Sequence, residues 1–147
     1  MKIENPLVLS NLMCFSIYAC SREFTKLYTP ILKELNITYP QYLVMVALWE
    51  HEPLSVKQLG NQLCLDSGTL TPLLKRLEEA GLVIRKRSQE DERSVLISLT
   101  DKGTELKEKA KSIPAQIFEK TGLTLEQFEE YSHSFKELLT AITKKKS

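Results

Sequence analysis

Between Ser55 and Thr100 the chain carries two helix signals in quick succession and then a strand, a charged turn and a second strand, and few folds accept that order. Ser55-Val56-Lys57-Gln58 is a capping box, in which the Ser and Gln side chains each satisfy an otherwise orphaned amide. Leu54 and Leu59 flank it as a hydrophobic staple. After the break Cys64-Leu65-Asp66-Ser67-Gly68, the residues Leu70, Leu73, Leu74 and Leu77 recur at helical spacing, and Gly81 supplies a stop. The opposite face holds Ser67, Thr69, Thr71, Pro72, Lys75, Arg76 and Glu79. Leu82–Arg87 and Ser94–Leu99 then read as a two-stranded hairpin around the tip Ser88-Gln89-Glu90-Asp91-Glu92-Arg93. Two short helices and a hairpin crowded with Arg85, Lys86, Arg87 and Arg93 predict a winged helix, mainly α with a small β wing. A polar, basic second helix is what a reader of the DNA major groove needs. Pro72 sits awkwardly in that helix. Either the helix starts later than Asp66 suggests, or its first turn tolerates a missing hydrogen bond.

Charge limits how such a head can bind. The formal net charge of the whole chain is +1, so no global field attracts a polyanion. Affinity has to come from a few placed cations, doubled by a dimer. Nothing resembles a signal peptide or a membrane-spanning run, so a cytoplasmic protein without a membrane partner is expected. The three cysteines, Cys14, Cys20 and Cys64, lack C-x-x-C spacing. Neither a metal site nor a disulfide framework is expected, and no cofactor is implied.

The flanks are helical. Ser10 and Asn11 are N-cap types for a first helix through Leu12, Phe15 and Ala19. Its stripe continues through Phe24, Leu27, Tyr28, Ile31, Leu32 and Leu35, with a kink or break expected at Pro30. Thr38-Tyr39-Pro40-Gln41 caps a second, nearly all-apolar helix that should be central, and His51 closes it. Thr100 starts a helix carrying Leu106, Ala110, Ile113, Ile117 and Phe118, bent at Pro114 and ended by Gly122. Thr124-Leu125-Glu126-Gln127 caps a last helix striped with Phe128, Tyr131, Phe135, Leu138, Leu139 and Ile142, and Lys144 to Lys146 form a basic tail. The reading is therefore a single domain over 1–147. Residues 36–100 form a winged-helix DNA-binding head, and 1–35 and 101–147 are helical arms that pair in a homodimer. A two-fold protein matches a palindromic double-stranded site.

This order of elements resembles the MarR family of winged-helix transcriptional regulators. The segment Asp91-Glu92-Arg93 through Leu99-Thr100-Asp101-Lys102-Gly103 fits that family's Asp-x-Arg…Leu-Thr-x-x-Gly signature. The resemblance implies that Arg93 enters the minor groove, and that Asp91 holds the wing tip through an ion pair with a basic residue of the head. Closer still is the similarity to the OhrR-type sensors of organic hydroperoxides. It rests on Leu12-Met13-Cys14-Phe15 with Tyr18, on Ser21-Arg22-Glu23, on Leu35 through Tyr42, and on Leu65 through Pro72. The resemblance implies that Cys14 is the peroxide-sensing thiol and that Tyr28 and Tyr39 hydrogen-bond it across the dimer. No cysteine follows Cys64, so the match is to the one-cysteine type, whose sulfenic acid is captured by a low-molecular-weight thiol or over-oxidised.

Physical chemistry points the same way. A cysteine in the first turn of a helix is placed where a thiolate, the species that attacks a peroxide, is stabilised. Apolar Leu12, Met13 and Phe15 suit an alkyl hydroperoxide. The expected function is a repressor that leaves its operator when Cys14 is oxidised. Its expected DNA contacts are Ser67, Thr69, Thr71, Lys75, Arg76, Arg85, Lys86 and Arg93. Two alternatives stay open: a MarR-type regulator switched by a small aromatic ligand, and a broader oxidative-stress or virulence regulator using the same cysteine. An enzyme is not expected, since no second cysteine or nearby arginine completes a peroxidase site.

Overall fold

The computed structural model describes residues 4–144. Residues up to Lys111 pack as one unit and those from Ser112 onward as another.

The first unit begins with a single 3-10 turn, Leu9–Asn11, followed by α1 (Met13–Leu35). Ser10 and Asn11 do not cap α1. The N-cap is Leu12, with no side-chain hydrogen bond, because the Asn11 amide donates backwards to the Glu4 and Asn5 carbonyls at 3.1 and 3.2 Å. Nor does Pro30 break the helix, which runs unbroken to Leu35. An interior proline costs about 3 kcal/mol; here the burial of Ile31 and Leu32 just beyond it holds the last turn in place. Asn36, in the left-handed conformation, ends the helix.

Helix α2 (Tyr39–Glu50) opens with the Thr38–Gln41 capping box, its two bonds at 3.4 and 2.9 Å. The staple pair Ile37 and Tyr42 is buried, and Val44, Met45, Ala47 and Leu48 make α2 the central helix. Helices α3 (Val56–Leu63) and α4 (Ser67–Glu79) follow, capped by Ser55 and Asp66. They meet closely: a Cβ at Gly60 would lie 2.8 Å from the Leu65 carbonyl. Gly81, at φ +75°, lets α4 end with Leu82 and Gly81 amides returning to Leu77 and Glu78, a Schellman stop.

The wing is larger than a hairpin. Strands β2 (Val83–Arg87) and β3 (Val95–Leu99) pair antiparallel, but β1 (Leu54–Ser55) adds to the free side of β3, giving the order β1-β3-β2. Two residues carry too little alternation to be read as a strand; only their pairing with Ile97 and Leu96 makes them one. Beyond Leu54 the Glu52 carboxylate continues the edge, accepting the Leu99 amide at 2.7 Å. Helix α5 (Asp101–Ala110) is capped by Thr100 and locked to the head through Gly103. A Cβ there would overlap the Leu82 carbonyl, and the Gly103 carbonyl accepts the Trp49 indole at 2.9 Å.

The helix expected over 100–122 is two helices. α5 stops at Ala110, and α6 (Ile113–Thr121) restarts with Pro114 at its second position, where a proline begins a helix better than it bends one. In the second unit α7 (Leu125–Lys144) starts at the expected Thr124–Gln127 box, and Phe118 meets Phe128 edge-on at 5.3 Å. The tail residues Lys145 and Lys146 lie outside the described residues. Among those described, no helix is long and apolar enough to cross a membrane.

Candidate functional site

Helix α4 turns Leu70, Leu74 and Leu77 inward, each almost completely buried. That rotation exposes Ser67, Thr69, Thr71, Lys75 and Arg76, all five expected contacts on this element. The Asp66 carboxylate accepts the Thr69 amide at 2.7 Å. Its carboxyl is held below its usual pKa, first by that amide and then by the Thr69 side chain. The Thr71 hydroxyl donates to the Ser67 carbonyl at 2.7 Å, so its remaining hydrogen-bonding capacity is as an acceptor. The helix begins at Ser67, which makes Pro72 its sixth residue and an interior one.

The wing cations have different surroundings. Arg85 faces the same side of the sheet as buried Val83 and contacts α4, with Nη2 and Nε at 3.2 and 3.3 Å from Glu78 Oε1. Its charge is thus engaged within the protein. Lys86, one residue on, points to the other face of the sheet and is exposed. Arg87 donates to the Glu92 carbonyl at 3.2 Å and clasps the tip. Inside the tip, Ser88 Oγ accepts the Glu90 and Asp91 amides, and Asp91 Oδ1 accepts the Arg93 amide at 3.0 Å. Asp91 therefore reaches Arg93 through its backbone, and it shares a shallow cleft with Lys57 of α3. Arg93 stands exposed at the tip. The clasp by Arg87 and the edge bond of Glu52 are not evident in the sequence, since both depend on pairing across 5 and 47 residues.

Cys14 is the second residue of α1 and is exposed. Around it Met13, Phe15, Ile17 and Tyr18 are also exposed, at 63, 39, 38 and 58%. Arg22 lies over the Tyr18 ring at 5.5 Å and donates to its hydroxyl at 3.1 Å. No side chain caps this helix start, and the Phe15 and Ser16 amides turn back to the Leu12 carbonyl.

Tyr28 and Tyr39 come together, with ring centroids 4.9 Å apart. Tyr42, which the sequence reading did not single out as a site residue, completes the group at 5.7 Å from Tyr28 and 6.5 Å from Tyr39. Its signal was present, one turn after Tyr39 on the same helix. Burial, and then the neighbouring Tyr39 and Tyr42, push the Tyr28 pKa up to about 12. Burial raises Tyr39, and burial followed by Tyr39 raises Tyr42. All three hydroxyls keep their protons well past neutrality and can act as donors. Cys14 does not reach them in its own chain: fourteen residues of one helix separate it from Tyr28, about 21 Å of rise.

Cys20 and Cys64 are exposed as well. Cys14 and Cys20 are about 9 Å apart along α1, beyond the Cα separation of about 4.4–6.8 Å that a disulfide spans. Among the described residues no group of three His, Cys, Asp or Glu is placed to hold a metal.

Residues 26–110 match the family model of the transcriptional regulators SarA/Rot. The chain is 64% identical over 117 residues to the organic hydroperoxide resistance transcriptional regulator of Bacillus subtilis (strain 168), covering 80% of this chain and 76% of that protein. It is 43% identical over 127 residues to the HTH-type transcriptional regulator SarZ of Staphylococcus epidermidis, covering 86% and 85%. Among solved structures it is similar to reduced AbfR bound to DNA, with TM-score 0.78, 41% identity and 92% of each chain covered. It is also similar to overoxidised AbfR bound to DNA, with TM-score 0.70, 42% identity and 92% and 99% covered.

Proposed function

The chain belongs to the SarA/Rot family of winged-helix transcriptional regulators, and from that premise we propose that it is a homodimeric, DNA-binding repressor which senses organic hydroperoxides through Cys14 and then releases its operator. The observation that carries this reading is the separation of Cys14 from a cluster of protonated tyrosines by most of one helix. A second chain laid antiparallel against α1 would bring one subunit's thiol to the other's Tyr28 and Tyr39. It would also cover the exposed Met13, Phe15 and Ile17. In this arrangement residues 36–100 serve as the reading head, and 1–35 and 101–147 as the dimer arms. Ser67, Thr69, Thr71, Lys75 and Arg76 face the major groove, Lys86 and Arg93 lie on the wing, and Arg85 contributes chiefly by bracing the wing against α4. Asp91 sets the tip.

Chemically, the Cys14 sulfur attacks the distal peroxide oxygen, the O–O bond breaks, and an alcohol leaves as the sulfenic acid forms. A low-molecular-weight thiol then condenses with the sulfenic acid, releasing water and leaving a mixed disulfide. That bulk cannot remain among the tyrosines, so the arms shift and the spacing of the two heads changes. AbfR is found on DNA in an overoxidised state, so the bulky disulfide, rather than added oxygen alone, is the releasing form proposed for this chain. The protein acts by stoichiometric modification, not as a turning-over enzyme, and works in the cytoplasm.

The test is a mobility shift on a palindromic operator with cumene hydroperoxide and a small thiol. Wild type is expected to leave the DNA, whereas Cys14→Ser stays bound; equal release of both proteins refutes the sensing role.

A further inference from the structure

Two residues of α4 weaken a helix where the fold asks for neither. At Gly68 an added Cβ would meet only Asp66 Oδ1, at the ordinary contact distance of 3.5 Å. Alanine would fit there and make the better helix. The other four glycines each have a reason inside the chain: Gly60 and Gly103 are closed in by backbone, and Gly81 and Gly122 have positive φ. Pro72, exposed and interior to the helix, withholds the amide that would bond the Gly68 carbonyl. The two lie one turn apart on a line opposite Leu70, Leu74 and Leu77, and Lys75 and Glu79 continue that line.

A residue that harms its own helix, fills no internal need and faces outward is explained by what docks on it. Glycine permits close approach of a backbone to a ligand, and proline offers a rigid hydrocarbon face. Thr71 beside them has given its hydroxyl proton to Ser67, so the first side-chain donor along the line is Lys75. The surface before it is stepped: a bare Cα at Gly68, the Pro72 ring one turn on, and the Asp66 carboxylate at the near edge. The only apolar group that a base pair shows in the major groove is the thymine 5-methyl.

We propose that Gly68 and Pro72 form a specificity element for thymine, the methyl seated in the step at Gly68 against the Pro72 ring. This rests on the DNA-reading function proposed above and adds a base identity to it.

The experiment uses a palindromic duplex that the reduced wild-type protein selects from a random pool. Each thymine of the half-site is replaced in turn by deoxyuridine, which removes the methyl alone. One thymine per half-site is expected at which this lowers affinity by about fourfold per half-site. In Pro72→Ser the same replacement is expected to change affinity by less than about twofold, since the hydrocarbon partner is gone. Gly68→Ala is expected to melt at the same temperature or higher, yet to bind the selected duplex at least about tenfold more weakly, so that the loss lies in docking and not in folding. If no thymine is sensitive, or if Pro72→Ser keeps the wild-type sensitivity, the thymine element is refuted while operator binding stands. If the pool yields no enriched sequence, the DNA-reading function falls and this inference falls with it.

Discussion

Leu70, Leu74 and Leu77 of α4 are almost entirely buried, whereas no residue of α1 before Ile31 is. The two helices have similar amphipathic patterns, so apolar periodicity alone would rank them alike. The difference lies in how many partners one chain supplies. α4 is enclosed by α2, α3 and β2, which a short stretch of chain brings together. In α1 burial is confined to Ile31 and Leu32, near its C-terminal end. The head is therefore finished within one chain, and the proposed sensing end keeps an exposed apolar surface.

Mutations can break or sharpen that contrast. The largest expected effect is on the head: Leu74→Ala should cost about 2–5 kcal/mol in urea unfolding, through lost burial and a residual cavity. Phe15→Ala should leave dilute-solution stability within roughly 0.5 kcal/mol but lower the protein concentration dependence of melting. Equal costs at the two sites would remove the contrast. On the DNA side, Arg93→Ala should reduce operator affinity by about 1–3 kcal/mol. Arg85→Ala should lose less, because its guanidinium is already paired with Glu78; binding titrations of both variants decide it. Helix starts give a smaller effect. Ser55→Ala removes a formed capping box and should cost about 1 kcal/mol, while Leu12→Ser adds a cap where none exists and should gain up to about 1 kcal/mol.

The smallest effect is in alkaline solution. Tyr28 has a raised pKa in the folded protein, so its contribution to stability is complete below the unfolded value near about 10. It declines as pH rises through that value toward about 12. Tyr28→Phe should flatten the fall in melting temperature over that window.

Much of the fold was legible before any coordinate. Thr38, Ser55, Thr100 and Thr124 all cap the helices they announce, because a cap is a contact between residues three apart. Leu70, Leu74 and Leu77 announced the buried face of α4 for the same local reason. Ser10 and Asn11 misled, since their capping ability was spent on a 3-10 turn and on the Glu4 and Asn5 carbonyls. Of the site, the exposed face of α4 and the place of Cys14 in the first turn of a helix were readable from spacing; Tyr28 and Tyr39 came from the family resemblance as contacts of the thiol, and their packing against each other came only from the structure. Tyr42 was passed over because it also looked like core.

What the residues determined alone was therefore everything governed by neighbours within a turn or a hairpin: helix starts, buried stripes, the wing and the location of the thiol. Tertiary structure alone decided that two residues at Leu54 form a strand, that Arg85 belongs to Glu78, that Glu52 completes an edge of the wing, and that Tyr42 joins Tyr28 of another helix. Each depends on groups far apart in sequence arriving within a few ångströms, and no local pattern encodes that distance. Pro72 shows both sides at once. The sequence marked it as costly to a helix and placed it on the face opposite the leucines; only the folded helix revealed that it is interior and stands beside a glycine the fold does not require.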